Sequence, residues 1–212
     1  MVHLTKIYTR TGDDGTTALG DFSRVSKNDS RLIAYADTHE ANSAIGLAVA
    51  ELLRGHSPVN EAQDLIDSLH RIQNDLFDVG ADLSVPQVEN PTGPELRVEA
   101  EWVNELEADC DHFSAELAPL RSFILPGGNP AGAQLHFAST IVRRAERAAW
   151  QALEEHGDSL DGGVNPLTAK YLNRLSDLLF IMARYANGES GDVLWQPAGG
   201  RQEPPTSRKR RR

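Results

Sequence analysis

The feature that most restricts the fold is a regular series of apolar residues between positions 59 and 84. Its members follow one another at intervals of four and three residues: Leu65, Leu69, Ile72, Leu76, Val79 and Leu83. Because an α-helix turns once every 3.6 residues, this spacing places all six side chains on one helix face. A long helix with one continuous apolar face must pack against other helices, so the series predicts a helical bundle.

Two further segments have apolar residues at mostly helical spacings. In the segment of about 29–54 these residues are Leu32, Ile33, Ala36, Ile45, Val49 and Leu52. In the segment of about 97–118 the residues predicted to face inward are Trp102, Val103, Leu106, Cys110, Phe113 and Leu117. Both patterns predict amphipathic helices.

The last two helices are predicted from their ends. Each opens on an Asn-Pro pair, at 129–130 and at 165–166, where Asn suits the N-cap and Pro the first helical position. The first of them runs to about residue 156, and the second ends near Asn187 and Gly188.

These five helices predict an all-α, up-down bundle of the ferritin-like kind over residues 29–196, after an ordered polar arm over residues 1–28. Strand-like alternation is confined to about residues 4–9. Residues 197–212 hold six Lys and Arg side chains and one Glu among several Pro and Gly, which predicts a disordered basic tail.

Charge and composition exclude several classes of function. The formal net charge is −10, and without the tail it is about −15, which disfavours nucleic acid as a partner. No apolar run approaches the roughly 20 residues of a membrane-spanning helix, and the N-terminus lacks the apolar region of a signal peptide, so we expect a cytoplasmic protein. Cys110 is the only cysteine, which excludes an intramolecular disulfide.

The arm contains "YTRTGDDGTT", a stretch too polar to build a core. Glycines let backbone amides converge on an anion, and hydroxyl and basic side chains suit phosphate oxygens. The candidates are the glycines Gly12 and Gly15, the hydroxyl groups of Thr9, Thr11, Thr16 and Thr17, and the basic groups of Arg10 and Lys27. The alternative is a mobile surface turn, and Asp13 and Asp14 would repel phosphate if they pointed inward.

The fourth helix contains "VRRAERAAW". Arg143 and Arg147 are four residues apart and share a helix face, while Arg144 lies about 100° around the helix from Arg143. Two guanidinium groups with Glu146 nearby could clamp a polyphosphate, although a solvated face of ion pairs fits the same pattern.

Two other positions are candidate ligand contacts. Asn173 lies in the middle of the fifth helix, where Asn is a poor helix former, so its side chain should make a hydrogen bond to the protein or to a ligand. Phe123 precedes a Pro-Gly-Gly turn, where an aromatic side chain usually belongs to the core. No spacing indicates a metal site built from side chains or an acyl-transfer triad.

Four phrases taken together, "YTRTGDDGTT", "LPGG", "RRAER" and "YLNRLSDLLF", resemble those of the PduO-type corrinoid adenosyltransferases over about residues 3–196. The resemblance implies a homotrimer of five-helix bundles with active sites between subunits. It also implies transfer of the 5′-deoxyadenosyl group of ATP to the cobalt of reduced cobalamin, with release of triphosphate. Cobalt(I) is the nucleophile in that reaction, so no side-chain nucleophile is needed.

The resemblance assigns roles to individual residues. Phe123, Arg143 and Glu146 would serve the catalytic step, Phe123 by filling the space below the corrin ring. In the family, the lower axial base of the corrinoid is displaced from that space, which makes cobalt(I) accessible. Magnesium would be held by the phosphates and by water. The residues implied to bind ATP are Thr9, Arg10, Thr11, Gly12, Thr17, Lys27, Arg143, Arg144, Glu146, Arg147 and Asn173. Of these, a neighbouring chain would supply Arg143, Arg144, Glu146 and Arg147.

Two positions depart from the family pattern. His39 stands where the family typically has Asp, and Ser139 stands where it typically has Arg; in the family that pair forms a salt bridge between subunits. The intact ATP residues favour an active transferase whose product could pass to an adenosylcobalamin-dependent enzyme. The loss of both charges leaves open an alternative, a carrier or sensor of ATP or adenosylcobalamin with little turnover.

Overall fold

The computed structural model describes residues 8–55, 62–91, 93, 95–188 and 191–196. Over these residues the chain forms five α-helices and one small antiparallel sheet of two strands. The elements in chain order are β1 (Thr16–Ala18), β2 (Arg24–Ser26), α1 (Ser30–Leu53), α2 (Ala62–Ser84), α3 (Ala100–Ser114), α4 (Pro130–His156) and α5 (Pro166–Asn187). The predicted all-α bundle is therefore confirmed, with a short hairpin in the arm. The predicted disordered tail, 197–212, lies outside the described residues.

The regular apolar series forms the buried face of α2, as predicted. All six of its side chains are fully buried in a core that all five helices share. Among the described residues, no helix is both long enough and apolar enough to cross a membrane.

The prediction for α1 is only half right. Ile45, Val49 and Leu52 are buried, but Ile33 is 40% exposed and Ala36 is exposed as well. The reason is that α1 faces its neighbours mainly with small side chains. Its buried apolar residues are Ala34, Ala41, Ala44, Ile45, Ala48, Val49 and Leu52.

The predicted ends of α4 and α5 are confirmed. The side chain of Asn129 accepts a hydrogen bond of 2.8 Å from the Gly132 amide, and that of Asn165 accepts one of 3.0 Å from the Leu167 amide. Gly188 follows α5 with a φ of 54°, a value that favours glycine. The third helix is shorter than predicted and ends at Ser114, which leaves Leu117 beyond it.

The hairpin of the arm was not predicted. Strand-like alternation near residues 4–9 does not produce it: residues 8–10 have no regular structure, and residues 4–7 lie outside the described part. Strands β1 and β2 pair with Thr16 opposite Ser26. Each strand has only three residues and is mostly polar. The alternation of apolar and polar residues that indicates a strand therefore cannot be recognised in the sequence.

A buried arginine fixes the start of α1, where the arm ends. Arg31, one residue into α1, is only 2% exposed. Its guanidinium donates to the Gly162 carbonyl at 2.7 Å and reaches the Leu83 carbonyl at 3.3 Å. One side chain thus joins the start of α1, the end of α2 and the link between α4 and α5, which fixes where the arm enters the bundle.

The start of α4 packs so tightly against the end of α5 that only glycine fits at position 132. A Cβ atom there would lie 2.2 Å from Asn187 Oδ1 and 3.0 Å from the Ala183 carbonyl oxygen. Asn187 also accepts from the Asn129 amide at 3.0 Å. We expect Gly132→Ala to lower the free energy of unfolding by about 1–3 kcal/mol, measured by denaturant titration.

The matched control is Gly46→Ala in the interior of α1. Its nearest neighbour would be the flexible end of Gln73, at 3.3 Å. Because alanine favours a helix over glycine by about 0.8–1 kcal/mol, this variant should be neutral or more stable. Equal losses of stability in the two variants would contradict the packing argument.

Candidate active site

The arm is an ordered turn. The Gly15 amide donates to the Gly12 carbonyl at 3.3 Å, and the Lys27 amide donates to the Gly15 carbonyl at 2.9 Å. A Cβ atom on Gly12 would lie 3.1 Å from Lys27 Nζ and 3.0 Å from the Thr16 carbonyl oxygen. The absence of a side chain at Gly12 therefore lets the Lys27 ammonium group lie against the backbone of the turn.

Asp14 is held by its own turn. Its carboxylate accepts from the Thr16 amide at 3.0 Å and from the Thr16 hydroxyl at 2.8 Å, and it lies 3.6 Å from the Arg24 guanidinium. The hydrogen bonds from Thr16 lower the pKa of Asp14, with a smaller contribution from Arg24. The negative charge of Asp14 is thus partly neutralised by its neighbours within the arm.

Arg24 is a residue of the arm that the sequence analysis missed. Its guanidinium donates to the Thr11 carbonyl at 2.8 Å and also to the Thr16 hydroxyl. It therefore braces the turn across the hairpin, thirteen residues from Thr11. The only signal in the sequence is a basic residue after a Gly-rich turn, and it gains meaning once the hairpin is known.

Two of the arm's candidate residues line a cavity. It has a volume of about 470 Å³ and lies between the hairpin and the outer face of α1. Thr17 and Lys27 contribute polar groups to it, and Leu32 and Tyr35 form its apolar wall. Within the described residues, Lys27 has no carboxylate within 4.0 Å.

The arginines of α4 fall into two classes. Arg144 forms ion pairs with Asp37, at 3.3 Å, and with Glu40, so it joins α4 to α1. Arg143 and Arg147 are exposed, and no carboxylate of the described residues lies within ion-pair distance of either. Arg147 donates to the Arg143 carbonyl at 3.2 Å, which keeps the two side chains on one face.

The hydrogen bond predicted for Asn173 is present, and its partner is Glu146. The Asn173 amide donates to Glu146 Oε1 at 3.1 Å, and Trp150 donates to the same oxygen at 3.3 Å. Both donors hold the carboxylate beside the exposed arginines. Asn173 and Glu146 therefore form one polar group between α5 and α4.

Phe123 is an exposed aromatic rather than a core residue. Its side chain is 79% exposed and borders two adjoining cavities. One, of about 480 Å³, also contains Arg143 and Asp177. The other, of about 600 Å³, is mostly apolar and contains Phe180 and Trp195.

His39 and Ser139 lie on different faces of the chain. His39 stacks against Tyr35, with ring centroids 4.3 Å apart, and against Phe77, at 5.5 Å. Ser139 is buried in the 480 Å³ cavity and donates to the Ser176 carbonyl at 2.8 Å. In the described part of one chain, no hydrogen bond, ion pair or ring contact joins His39 to Ser139, or residues 9–28 of the arm to Arg143, Glu146 and Asn173.

The family model described as cobalamin adenosyltransferase matches residues 7–186. The chain belongs to this family. A corrinoid adenosyltransferase of Mycobacterium tuberculosis is 58% identical over 200 residues, which cover 94% of this chain and 97% of that protein. A cobalamin adenosyltransferase of Cupriavidus metallidurans is 44% identical over 195 residues, covering 91% of this chain and 95% of the relative.

Solved structures of the same family have the same fold. A variant of the PduO-type ATP:corrinoid adenosyltransferase from Lactobacillus reuteri, complexed with cobalamin and ATP, has a TM-score of 0.77 and 32% sequence identity. The alignment covers 91% of this chain and 97% of that one. A second variant of that enzyme, complexed with ATP, has a TM-score of 0.74.

Cys110 is a poor nucleophile. Burial raises the pKa of its thiol to about 11. A thiol with that pKa remains protonated at pH 8, so its thiolate fraction is about 100-fold below that of an ordinary cysteine of pKa near 9.

We therefore expect Cys110 to react with iodoacetamide at pH 8 about 100-fold more slowly in the folded protein than in the unfolded chain. Mass spectrometry of the alkylated peptide over time measures both rates. Denaturant should restore the ordinary rate. Equal rates in the two states would show that the thiol is accessible and activated.

Proposed function

We propose that this protein transfers the 5′-deoxyadenosyl group of ATP to the cobalt of reduced cobalamin, forming adenosylcobalamin and releasing triphosphate. The observation that carries the proposal is one cavity that joins the exposed ring of Phe123 to the unpaired guanidinium of Arg143. An aromatic surface suits a flat macrocycle, and an unpaired cation suits a polyphosphate. Both are available in a chain of the cobalamin adenosyltransferase family.

The reaction needs positioning more than side-chain chemistry. The electron pair of cobalt(I) forms the bond to C5′, the bond from C5′ to oxygen breaks, and the triphosphate leaves with those electrons. The protein must hold the two centres in line and stabilise the charge of the leaving group. Arg143, Arg147 and Lys27 are the basic groups that fit this second task, because acids of the described chain leave them unpaired.

The arm fits the nucleotide end of the substrate. Thr9, Arg10 and Thr11 are exposed, and the Thr9 and Thr11 hydroxyls are 2.9 Å apart. Arg10 has a φ of 64°, an uncommon value outside glycine that often marks a functional turn. Gly12 and Lys27 complete a surface of donors on which phosphate oxygens could be bound.

We further infer that the site is formed between subunits of a homotrimer. Within the described residues, no hydrogen bond or ion pair joins residues 9–28 of the arm to the Arg143 face, although both carry basic groups without an ion-pair partner there. Arg144 is an exception among the candidate ATP residues, because Asp37 and Glu40 already neutralise it within the chain. Its role would be to fix the surface of α4 that presents Arg143 and Arg147.

Magnesium would be bound mainly through the triphosphate. The described residues contain no group of three or more His, Cys, Asp or Glu side chains arranged to hold a metal. The Glu146 carboxylate lies beside the arginines and could supply one oxygen ligand. A single protein ligand fits a cation that takes most of its ligands from phosphate and water. The cytoplasmic location and an adenosylcobalamin-dependent acceptor of the product remain predictions.

His39 and Ser139 would adjust the hold on the corrinoid. The Ser139 hydroxyl already donates to Ser176, so it could only accept a hydrogen bond from a neighbouring imidazole. A neutral contact of that kind stabilises less than a charged pair. We propose that this interface binds the corrinoid more weakly than a charged pair would, while ATP binding is unaffected.

The decisive experiment measures formation of the cobalt–carbon bond. Chemically reduced cobalamin and ATP are mixed with the protein, and absorbance follows the conversion while triphosphate is quantified. One triphosphate for each adenosylcobalamin supports the transferase. Binding of both substrates without bond formation would instead establish the carrier alternative.

Arg143→Ala should raise the KM for ATP or reduce turnover by about ten-fold or more. A charge-assisted hydrogen bond contributes about 1.5–3 kcal/mol, and among the described residues no carboxylate pairs with this cation. Initial rates at varied ATP provide the measurement. The matched control is Lys170→Ala, an exposed basic residue on α5. Unchanged kinetics for Arg143→Ala would show that the arginine face is merely solvated.

A composite site also predicts the mass and the behaviour of mixed assemblies. The protein should sediment at about 70 kDa, three times the 23.2 kDa chain. When inactive Lys27→Ala and Arg143→Ala proteins are unfolded and reassembled together, random assortment should restore about one quarter of the sites. A monomer, or no recovery in the mixture, would place the whole site within one chain.

A further inference from the structure

The last described segment of the chain is paired with the loop that carries Phe123. The Leu125 amide donates to the Val193 carbonyl at 2.8 Å, and the Trp195 amide donates to the Phe123 carbonyl at 2.7 Å. Ser122 adds a hydrogen bond of 3.0 Å to the Trp195 carbonyl. The segment 192–196 thus lies beside the Phe123 loop like a strand in a ladder, although neither belongs to a regular sheet.

One ion pair anchors both partners of this ladder to α5. Arg184 Nε donates to Asp192 Oδ2 at 2.7 Å, and the two side chains are only 11% and 13% exposed. The same guanidinium donates through Nη2 to the Ala118 carbonyl at 2.8 Å. Arg184 therefore holds the backbone at Ala118, shortly before the Phe123 loop, and also holds Asp192, the first residue of the paired segment.

The Arg184–Asp192 pair lowers the stability of the fold, so filling space does not by itself explain it. Asp192 Oδ1 is buried and has no hydrogen-bond partner in the described part of the protein. An unsatisfied buried oxygen on an ionised group destabilises the fold, and an apolar side chain of similar size would avoid that cost. Asp192 is better explained by what the pair holds in place.

What it holds in place is an exposed ring. Phe123 is 79% exposed, so the hydrophobic core does not fix its position. Its ring instead contacts Trp195, with centroids 6.0 Å apart in an edge-to-face arrangement. Together with Phe180 these rings border the 600 Å³ cavity. The position of Phe123 therefore depends on the paired segment, and the paired segment depends on Asp192.

We propose that the Arg184–Asp192 ion pair positions Phe123 beneath the corrin ring by holding residues 192–196 against the Phe123 loop. The proposal rests on the proposed function and adds two positioning residues, neither of which touches a substrate. Loss of the pair should free the loop, so that Phe123 no longer displaces the lower axial base of the corrinoid efficiently. ATP binding should be unaffected.

The test uses the full chain and Asp192→Asn, which removes the charge but keeps the shape. Hydrogen exchange should become faster at the Leu125 and Trp195 amides. The fraction of ATP-complexed cobalamin with its lower base displaced, read by absorbance, should fall about ten-fold, as expected for loss of a charge-assisted contact. The KM for ATP should stay within two-fold. Asp109→Asn, which breaks the Arg71–Asp109 pair between α2 and α3, is the matched control.

A second pair of variants tests the ladder without altering the ion pair. Trp195→Pro removes the amide that donates to Phe123 together with the ring that contacts Phe123, whereas Trp195→Ala removes the ring alone. Gln196→Pro removes an amide that makes no backbone hydrogen bond in the described part of the chain. Base displacement should fall further in Trp195→Pro than in Trp195→Ala, and it should be unchanged in Gln196→Pro.

Two results would overturn the proposal: unchanged exchange in Asp192→Asn, or faster exchange with unchanged base displacement. A wild-type protein that binds ATP but no corrinoid would refute the proposed function instead. Hydrogen exchange would then still decide whether the pair orders the Phe123 loop.

Discussion

Close packing of α4 against α1 and α5 through small side chains is the constraint on which the rest of the molecule depends. The buried face of α4 includes Ala131, Gly132, Ala138, Ala145, Ala148, Ala149 and Ala152. Small residues let helix backbones approach closely, and the same face also buries Leu135, Ile141 and Val142, so the long polar side chains of α4 lie on the other side. The exposed row of Arg143, Arg147 and Trp150 is the opposite side of that alanine face. The residue pattern of α4 therefore determines both how the helix packs and which side chains it exposes at the candidate site.

The same constraint explains where sequence reasoning succeeds on the fold and where it fails. The apolar face of α2 consists of large residues at regular intervals, and burial follows its spacing residue by residue. In α1 the contact is made by alanines, while Ile33 and Leu47 are 40% and 53% exposed. Assigning the inner face of α1 from its large apolar residues therefore places Ile33 wrongly in the core. The hairpin fails for another reason, because three-residue polar strands carry too little pattern to be recognised.

The candidate site is predictable only in its composition. The phrase "RRAER" shows that Arg143 and Arg147 share a face, but Arg144 carries the same charge and is neutralised by α1. That distinction requires Asp37 and Glu40 to be placed one helix away, and no local spacing shows it. Arg24 and the Arg184–Asp192 pair are hidden in the same way, since their partners are brought together by the fold. Phe123 looks like a core residue in the sequence because nothing local shows that it remains exposed.

The distribution of ion pairs decides which basic side chains remain available to a ligand. The chain has 31 acidic and 21 basic residues, so a surface arginine has many available acids. Arg144 and Arg174 each form ion pairs with two acids, and Arg184 forms one with Asp192. Among the described residues, no acid pairs with three cations: Arg143, Arg147 and Lys27. An anion can bind these cations at a lower free-energy cost, because no internal ion pair must first be broken. Asp14, an acid of the arm, is turned instead toward Thr16 and Arg24. We therefore expect an acidic body with a local preference for polyphosphate, and we expect nucleic acid, which would have to approach the whole negative surface, to be disfavoured.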